Sequence, residues 1–211
     1  MSLLEDLRKS VIDGDQNAAQ DQVHAALAEN IPPEKILTDG LISAMSEVGR
    51  MFEAGEFYVP EMLISARAMK SGLAILRPLL AAENIKPIGR VVIGTVQGDL
   101  HDIGKNLVGM MLEGAGFEII DLGVDVSPEK YVQAVREQAP DLLGCSALLT
   151  TTMPRMQDIV LALQAAGLRD KVKVMIGGAP VTEKYAADIG ADFYAPDAAS
   201  AAQRARQLMQ G

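Results

Sequence analysis

From Leu3 to about Glu83 the apolar residues recur at three- and four-residue spacing, the period of amphipathic helices, and no convincing strand interrupts them. Four helices are expected. The first carries Leu3, Leu4, Leu7, Val11 and Ile12 and ends at Asp13-Gly14-Asp15; the second runs from about Asn17 to Asn30 and stops before Pro32-Pro33. The third places Leu41, Met45, Val48 and Phe52 on one face and ends at Gly55. The fourth, entered through Pro60, repeats Met62, Ala66, Met69, Leu73, Leu76 and Leu80, a narrow stripe suited to bundle packing.

At Lys86-Pro87-Ile88-Gly89 the period breaks, and the β-rich run Arg90 to Thr95 follows. Beyond it short apolar runs, at 118–122, 142–145, 172–176 and more weakly 193–195, alternate with helical segments. Ser127-Pro128 has the form of an N-cap followed by proline, and Thr182-Glu183 opens a helix after the fourth strand. Such alternation implies an α/β chain: a four-helix bundle at 1–86, then a flavodoxin-like, doubly wound, five-stranded parallel sheet at 87–211. The usual strand order for five such units is 2-1-3-4-5, and ligands sit beyond the carboxyl ends of strands 1 and 3. That directs attention to 96–105, 146–152 and 177–180, where the polar residues and glycines gather.

Composition narrows the classes further. The chain has 211 residues, 49% of them hydrophobic, which is enough for a proper core. With no Trp, 4% aromatics and a net charge of −9, it lacks both the stacking platform and the positive field that a nucleic acid partner needs. The segment Met1 to Asp6 has neither a basic stretch nor an apolar run, and no later segment resembles a membrane span, so a cytoplasmic protein is expected. The single cysteine, Cys145, reads as a small buried apolar residue rather than a reactive thiol.

Familiar nucleotide motifs fail in the first loop. Gly98 to Gly104-Lys105 has one residue too many for a phosphate-binding loop of the Walker type, and Asn106 stands where a Ser or Thr should hold magnesium. Gly94 and Gly98 do not make a dinucleotide fingerprint. A phosphorelay receiver needs an Asp where strand 3 ends in Cys145-Ser146. What remains is Asp99-x-His101-x-x-Gly104, then Ser146-x-Leu148-x-Thr150, then Gly177-Gly178.

In that order and spacing the chain resembles the corrinoid-binding modules of cobalamin-dependent methyltransferases. The helical half resembles the cap module that precedes this domain in methionine synthase and in methylamine and methanol corrinoid proteins. Gly55 to Glu61, with Ala66 and Met69, is similar to the cap segment. The resemblance implies a cobalamin or related corrinoid, in its methylcobalamin form when loaded, with His101 as the lower axial ligand of cobalt. Asp99 would bond the other ring nitrogen and Thr152 would hold Asp99. Gly104, Gly177 and Gly178 would make room for the nucleotide tail, Ser146, Leu148 and Thr150 would line it, and Tyr58 and Met62 would face the methyl group. Tight turns remain the plain alternative for Gly177 and Gly178, and core packing for Tyr58 and Met62; Asp102 and Lys105 read as solvated charges. Thr151 and Thr152 depart from the Pro and Ser of methionine synthases, with Thr152 keeping the hydroxyl.

The resemblance further implies a carrier subunit, not catalytic alone, that moves methyl from a substrate:corrinoid methyltransferase to a corrinoid:folate or corrinoid:thiol methyltransferase, with a reductive activator as a further partner. A cobalamin-binding regulator and the small subunit of an adenosylcobalamin mutase stay open as alternatives. The missing DNA-binding domain weighs against the first and the helical half against the second.

Overall fold

The computed structural model describes residues 2–210, so Met1 of the N-terminal segment and Gly211 at the end of the second expected domain lie outside it. The chain divides into two compact units, residues 1–87 with 114–116, and residues 88–113 with 117–211.

In the helical unit, α1 (Leu3–Ile12) opens with a reciprocal cap: the Ser2 hydroxyl accepts from the Glu5 amide and the Glu5 carboxylate from the Ser2 amide. α2 (Gln16–Ala28) is capped by Asp15 and buries Ala19, Val23 and Ala26. The third expected helix is longer and less regular than its pattern suggests. It begins at Pro33 as α3 (Pro33–Lys35), continues through a π-helical stretch (Ile36–Ile42) and becomes α4 (Ser43–Glu53). Within the π stretch a Cβ on Gly40 would stand 2.6 Å from Leu7 Cδ2, so close approach to α1 requires glycine there. α5 (Val59–Ala82) follows an extended Tyr58, whose amide donates to Glu61, and buries Met62, Ala66, Met69, Leu76 and Leu80.

The second unit alternates β1 (Arg90–Thr95), α6 (Ile103–Gly114), β2 (Glu118–Asp121), α7 (Pro128–Gln138), β3 (Leu142–Ser146), α8 (Pro154–Ala165), a 3-10 turn (Arg169–Lys171), β4 (Lys173–Gly177), α9 (Glu183–Ile189), β5 (Phe193–Tyr194) and α10 (Ala198–Gln210). All pairings are parallel and the strand order is β2-β1-β3-β4-β5, as the pattern predicts. β1 and β3 are buried on both faces, which explains their unbroken apolar runs. Val92, Leu143, Val174 and Ile176 pack with Tyr131, Met156, Ile159 and Leu163. Ser127 and Thr182 cap α7 and α9 as expected. β5 is only two residues long, shorter than its three-residue pattern.

Candidate functional site

Register brings the marked loops together. Thr95, Ser146 and Gly177 are paired across β1, β3 and β4 on one rung, so the chain leaves the sheet at three adjacent points on its carboxyl edge. The loop after β1 turns at Gly98, which sits at φ +82°, and the Asp99 amide donates back to the Val96 carbonyl.

Asp99 is the centre of the site, with no exposed surface. Its Oδ1 accepts from the His101 amide at 3.1 Å and faces His101 Nδ1 at 2.7 Å. Its Oδ2 accepts from the amides of Leu148 at 2.8 Å and Leu149 at 3.4 Å, and from the Thr152 hydroxyl at 2.7 Å. The methyl that Thr152 adds relative to a serine leaves this last bond intact. Burial works against ionisation of Asp99, but the bonds from Thr152, His101 and the Leu148 amide outweigh it and hold the carboxyl well below the usual range. An ionised carboxylate only accepts, so Nδ1 of His101 carries a proton, and in the neutral imidazole the lone pair is on Nε2. The imidazole is fixed on one side and half exposed, 52%, on the other.

The same segments carry exposed large apolar side chains: Leu100 and Ile103 either side of His101 in sequence, and Leu148 and Leu149, whose amides bond Asp99. Leu100 and Ile103 escaped the sequence reading, although apolar residues flanking a histidine in a glycine-rich polar loop were a signal for them. Among the described residues no cluster of three or more His, Cys, Asp or Glu side chains is arranged to hold a metal ion. One oriented imidazole on loops with exposed apolar side chains instead fits a metal that arrives with its other ligands already in a macrocycle. The residues present therefore fit a corrinoid.

The other expected site residues are placed as follows. Ser146 ends β3 and is half-buried, and Thr150 is exposed on the loop beyond it. Gly104 lies in the first turn of α6, and a Cβ there would meet nothing within 4 Å, so the space beside it is open to a ligand. Gly177 and Gly178 have reasons within the protein. A Cβ on Gly177 would stand 3.2 Å from the Ala195 carbonyl, and one on Gly178, at φ +133°, 1.9 Å from the Ala147 carbonyl. Tyr58 is exposed at the start of α5, whereas Met62 is completely buried, which supports core packing for Met62 over contact with a methyl group.

Lys105 corrects another expectation. Its side chain is 2% exposed rather than solvated, and its ammonium donates to Asp121 and to Asn106, which in turn donates to Asp102. The sequence reading missed Asp121 as its partner because the pair forms between α6 and the end of β2. It also missed Asp125, whose carboxylate accepts from the Gly98 amide in the loop after β1.

Residues 89–203 and 3–77 match family models described as B12 binding domains. The dimethylamine corrinoid protein 3 of Methanosarcina acetivorans is 42% identical over 207 residues, covering 98% of this chain and 97% of the relative. A cobalamin-binding protein from Desulfitobacterium hafniense has a solved structure that matches with a TM-score of 0.82 and 32% identity, over 100% of this chain and 99% of that one. A chain of the methanol:cobalamin methyltransferase complex of Methanosarcina barkeri matches with a TM-score of 0.89 and 30% identity, over 99% and 80%.

Proposed function

Because the chain belongs to the B12-binding family of corrinoid proteins, we propose that it is a methyl carrier, loaded by a substrate-specific methyltransferase and unloaded by a second one. The observation that carries this reading is the His101–Asp99–Thr152 chain, which orients one imidazole nitrogen outward from a buried, ionised carboxylate. When bound, the corrinoid supplies a cobalt that takes up and gives up a methyl group.

His101 would hold the cobalt through Nε2. Asp99 holds the ring in the tautomer that leaves Nε2 free to coordinate, and Thr152 with the Leu148 amide keeps Asp99 in place. The exposed side chains of Leu100, Ile103, Leu148 and Leu149 would pack on the corrinoid and exclude water from it. The open space at Gly104 and the half-buried Ser146 would receive the tail, with Thr150, Gly177 and Gly178 on the adjoining loops. In this reading residues 87–211 are the cofactor-holding domain and residues 1–86, with Tyr58 at the start of α5, are a separate helical module.

Names of relatives support the partners. A dimethylamine corrinoid protein and a methanol:cobalamin methyltransferase complex point to a methylamine- or methanol-type methyltransferase as donor. A carrier must also discharge, so a folate- or thiol-methylating enzyme is the acceptor, and a reductive activator restores any oxidised metal. No helix among the described residues is long and apolar enough to cross a membrane.

The test is the absorption spectrum of the purified protein after incubation with hydroxocobalamin or methylcobalamin and gel filtration, beside His101→Ala. We expect retained corrinoid with an imidazole-ligated spectrum in the wild type, and loss of that signature in the variant. Failure of the wild type to retain corrinoid overturns the reading; identical spectra remove His101 from its role. Mixing the loaded protein with a methanol- or methylamine-specific methyltransferase and its substrate separates a carrier, whose spectrum changes on methylation, from a regulator, whose spectrum does not.

A further inference from the structure

The loop that presents His101 is held from two sides, and the family motif accounts for only one. On the β3 side, Leu148, Leu149 and Thr152 grip the Asp99 carboxylate. On the β2 side, the grip is on the backbone, and it comes from Asp125 in the loop between β2 and α7. The Asp125 carboxylate accepts from the Gly98 amide at 2.7 Å, and the Asp125 amide donates to the Asp99 carbonyl at 3.0 Å. One residue thus clasps both ends of a two-residue segment. Its neighbour Val126 bridges to Val96 and donates to the Thr95 carbonyl, so the clasp is continuous with the sheet.

Two features make Asp125 more than a turn residue. It sits at φ +53°, in the left-handed region where glycine is least strained and where Asp and Asn are tolerated. Glycine would satisfy the backbone but would leave the Gly98 amide without its carboxylate. Gly98 is itself left-handed, so the segment carrying Asp99 has few conformational restraints of its own and takes them from Asp125. His101 hangs from Asp99 through both its amide and its ring, so any rotation of the Asp99 backbone moves the ring nitrogen.

We propose that Asp125 is a positioning residue for His101: by clasping the Gly98 amide and the Asp99 carbonyl, it fixes the backbone from which the Asp99–His101 pair is aimed. The inference rests on the carrier reading for the metal that His101 meets. It leaves the clasp itself testable without any cofactor.

Two variants separate the bond from the charge. Asp125→Gly keeps the backbone conformation and removes the acceptor; Asp125→Asn removes the charge and keeps an acceptor oxygen. Thermal unfolding of both variants establishes that they fold. In the cofactor-free protein, amide hydrogen exchange at Gly98 should speed up about five-fold or more in Asp125→Gly, the discount from a buried charge-assisted bond reflecting the exposure of Asp125, and stay near wild type in Asp125→Asn. In protein loaded with methylcobalamin at fixed neutral pH, the imidazole-ligated fraction of the spectrum should fall in Asp125→Gly and recover in Asp125→Asn.

Unchanged exchange in Asp125→Gly overturns the clasp. Faster exchange with an unchanged spectrum overturns the positioning role, and an Asn variant that behaves like Gly overturns the hydrogen bond as its cause. A wild type that retains no corrinoid overturns the carrier reading instead, and is told apart because the exchange difference is measured without cofactor.

Discussion

Thr152 shows what one side chain contributes at this site. Its hydroxyl is one of the donors to a carboxylate that has no exposed surface, and water has no ready access to replace it. Thr152→Ala should therefore lower folding stability by about 1–3 kcal/mol, the cost of leaving a buried charged acceptor short of a donor, while Thr152→Ser should stay within about 1 kcal/mol of wild type. Urea denaturation of the cofactor-free proteins measures both. Gly178 is the harsher case. At φ +133°, with a Cβ that would stand 1.9 Å from the Ala147 carbonyl, Gly178→Ala forces the loops after β3 and β4 apart. We expect a loss of about 3 kcal/mol or more in the same experiment. Asp99, His101 and Gly104 could be proposed together because they lie within six residues in sequence; the need for glycine at 178 could not be read there, because its cause is a carbonyl on another loop.

At the scale of elements, periodicity located every long helix and all five strands, since burial on one or both faces leaves a pattern in the sequence itself. It missed the π-helical stretch, within which Leu7 packs closely on Gly40, and it overestimated β5. A strand of two residues has little ladder of its own. It is anchored by Asp192, whose carboxylate accepts from the Val174 amide at 2.7 Å and from Arg169 at 2.6 Å, with Lys173 at 3.1 Å. Burial pushes the Asp192 carboxyl up, but these three partners together hold it below its ordinary value. A depressed carboxyl adds stability that is complete above the unfolded value near 4 and is lost as pH falls below it. Asp192→Ala should thus cost about 1–3 kcal/mol at pH 7, and its difference from wild type should shrink in denaturation curves near pH 3.

For the molecule as a whole, Cys145 reports on cooperative opening. It is buried in β3, and burial pushes its thiol up to about 12. A thiolate-specific reagent at pH 8 should find no reactive thiol in the native protein and one per chain in denaturant, and the slow native rate should follow the global stability of the α/β unit. Rapid native labelling would mean that β3 opens locally. The net charge of −9 bears on solubility and partner choice, not on this fold.

The sequence by itself determined the helical first half, the parallel sheet and its strand order, and it singled out one edge of that sheet as the candidate site. Those follow from local spacing of apolar residues, from turn chemistry and from a winding rule that admits few alternatives. Resemblance to a family added the roles proposed for His101, Asp99 and Thr152. Tertiary structure alone decided which charges are buried and which loops hold each other. Lys105 meets Asp121 across 16 positions, Gly98 meets Asp125 across 27, and Thr152 meets Asp99 across 53. Met62 and Tyr58, four residues apart on one chain segment, differ completely in exposure. Such pairings depend on the register of parallel strands and the aim of the loops leaving them, and neither is encoded in the spacing of the residues that finally touch.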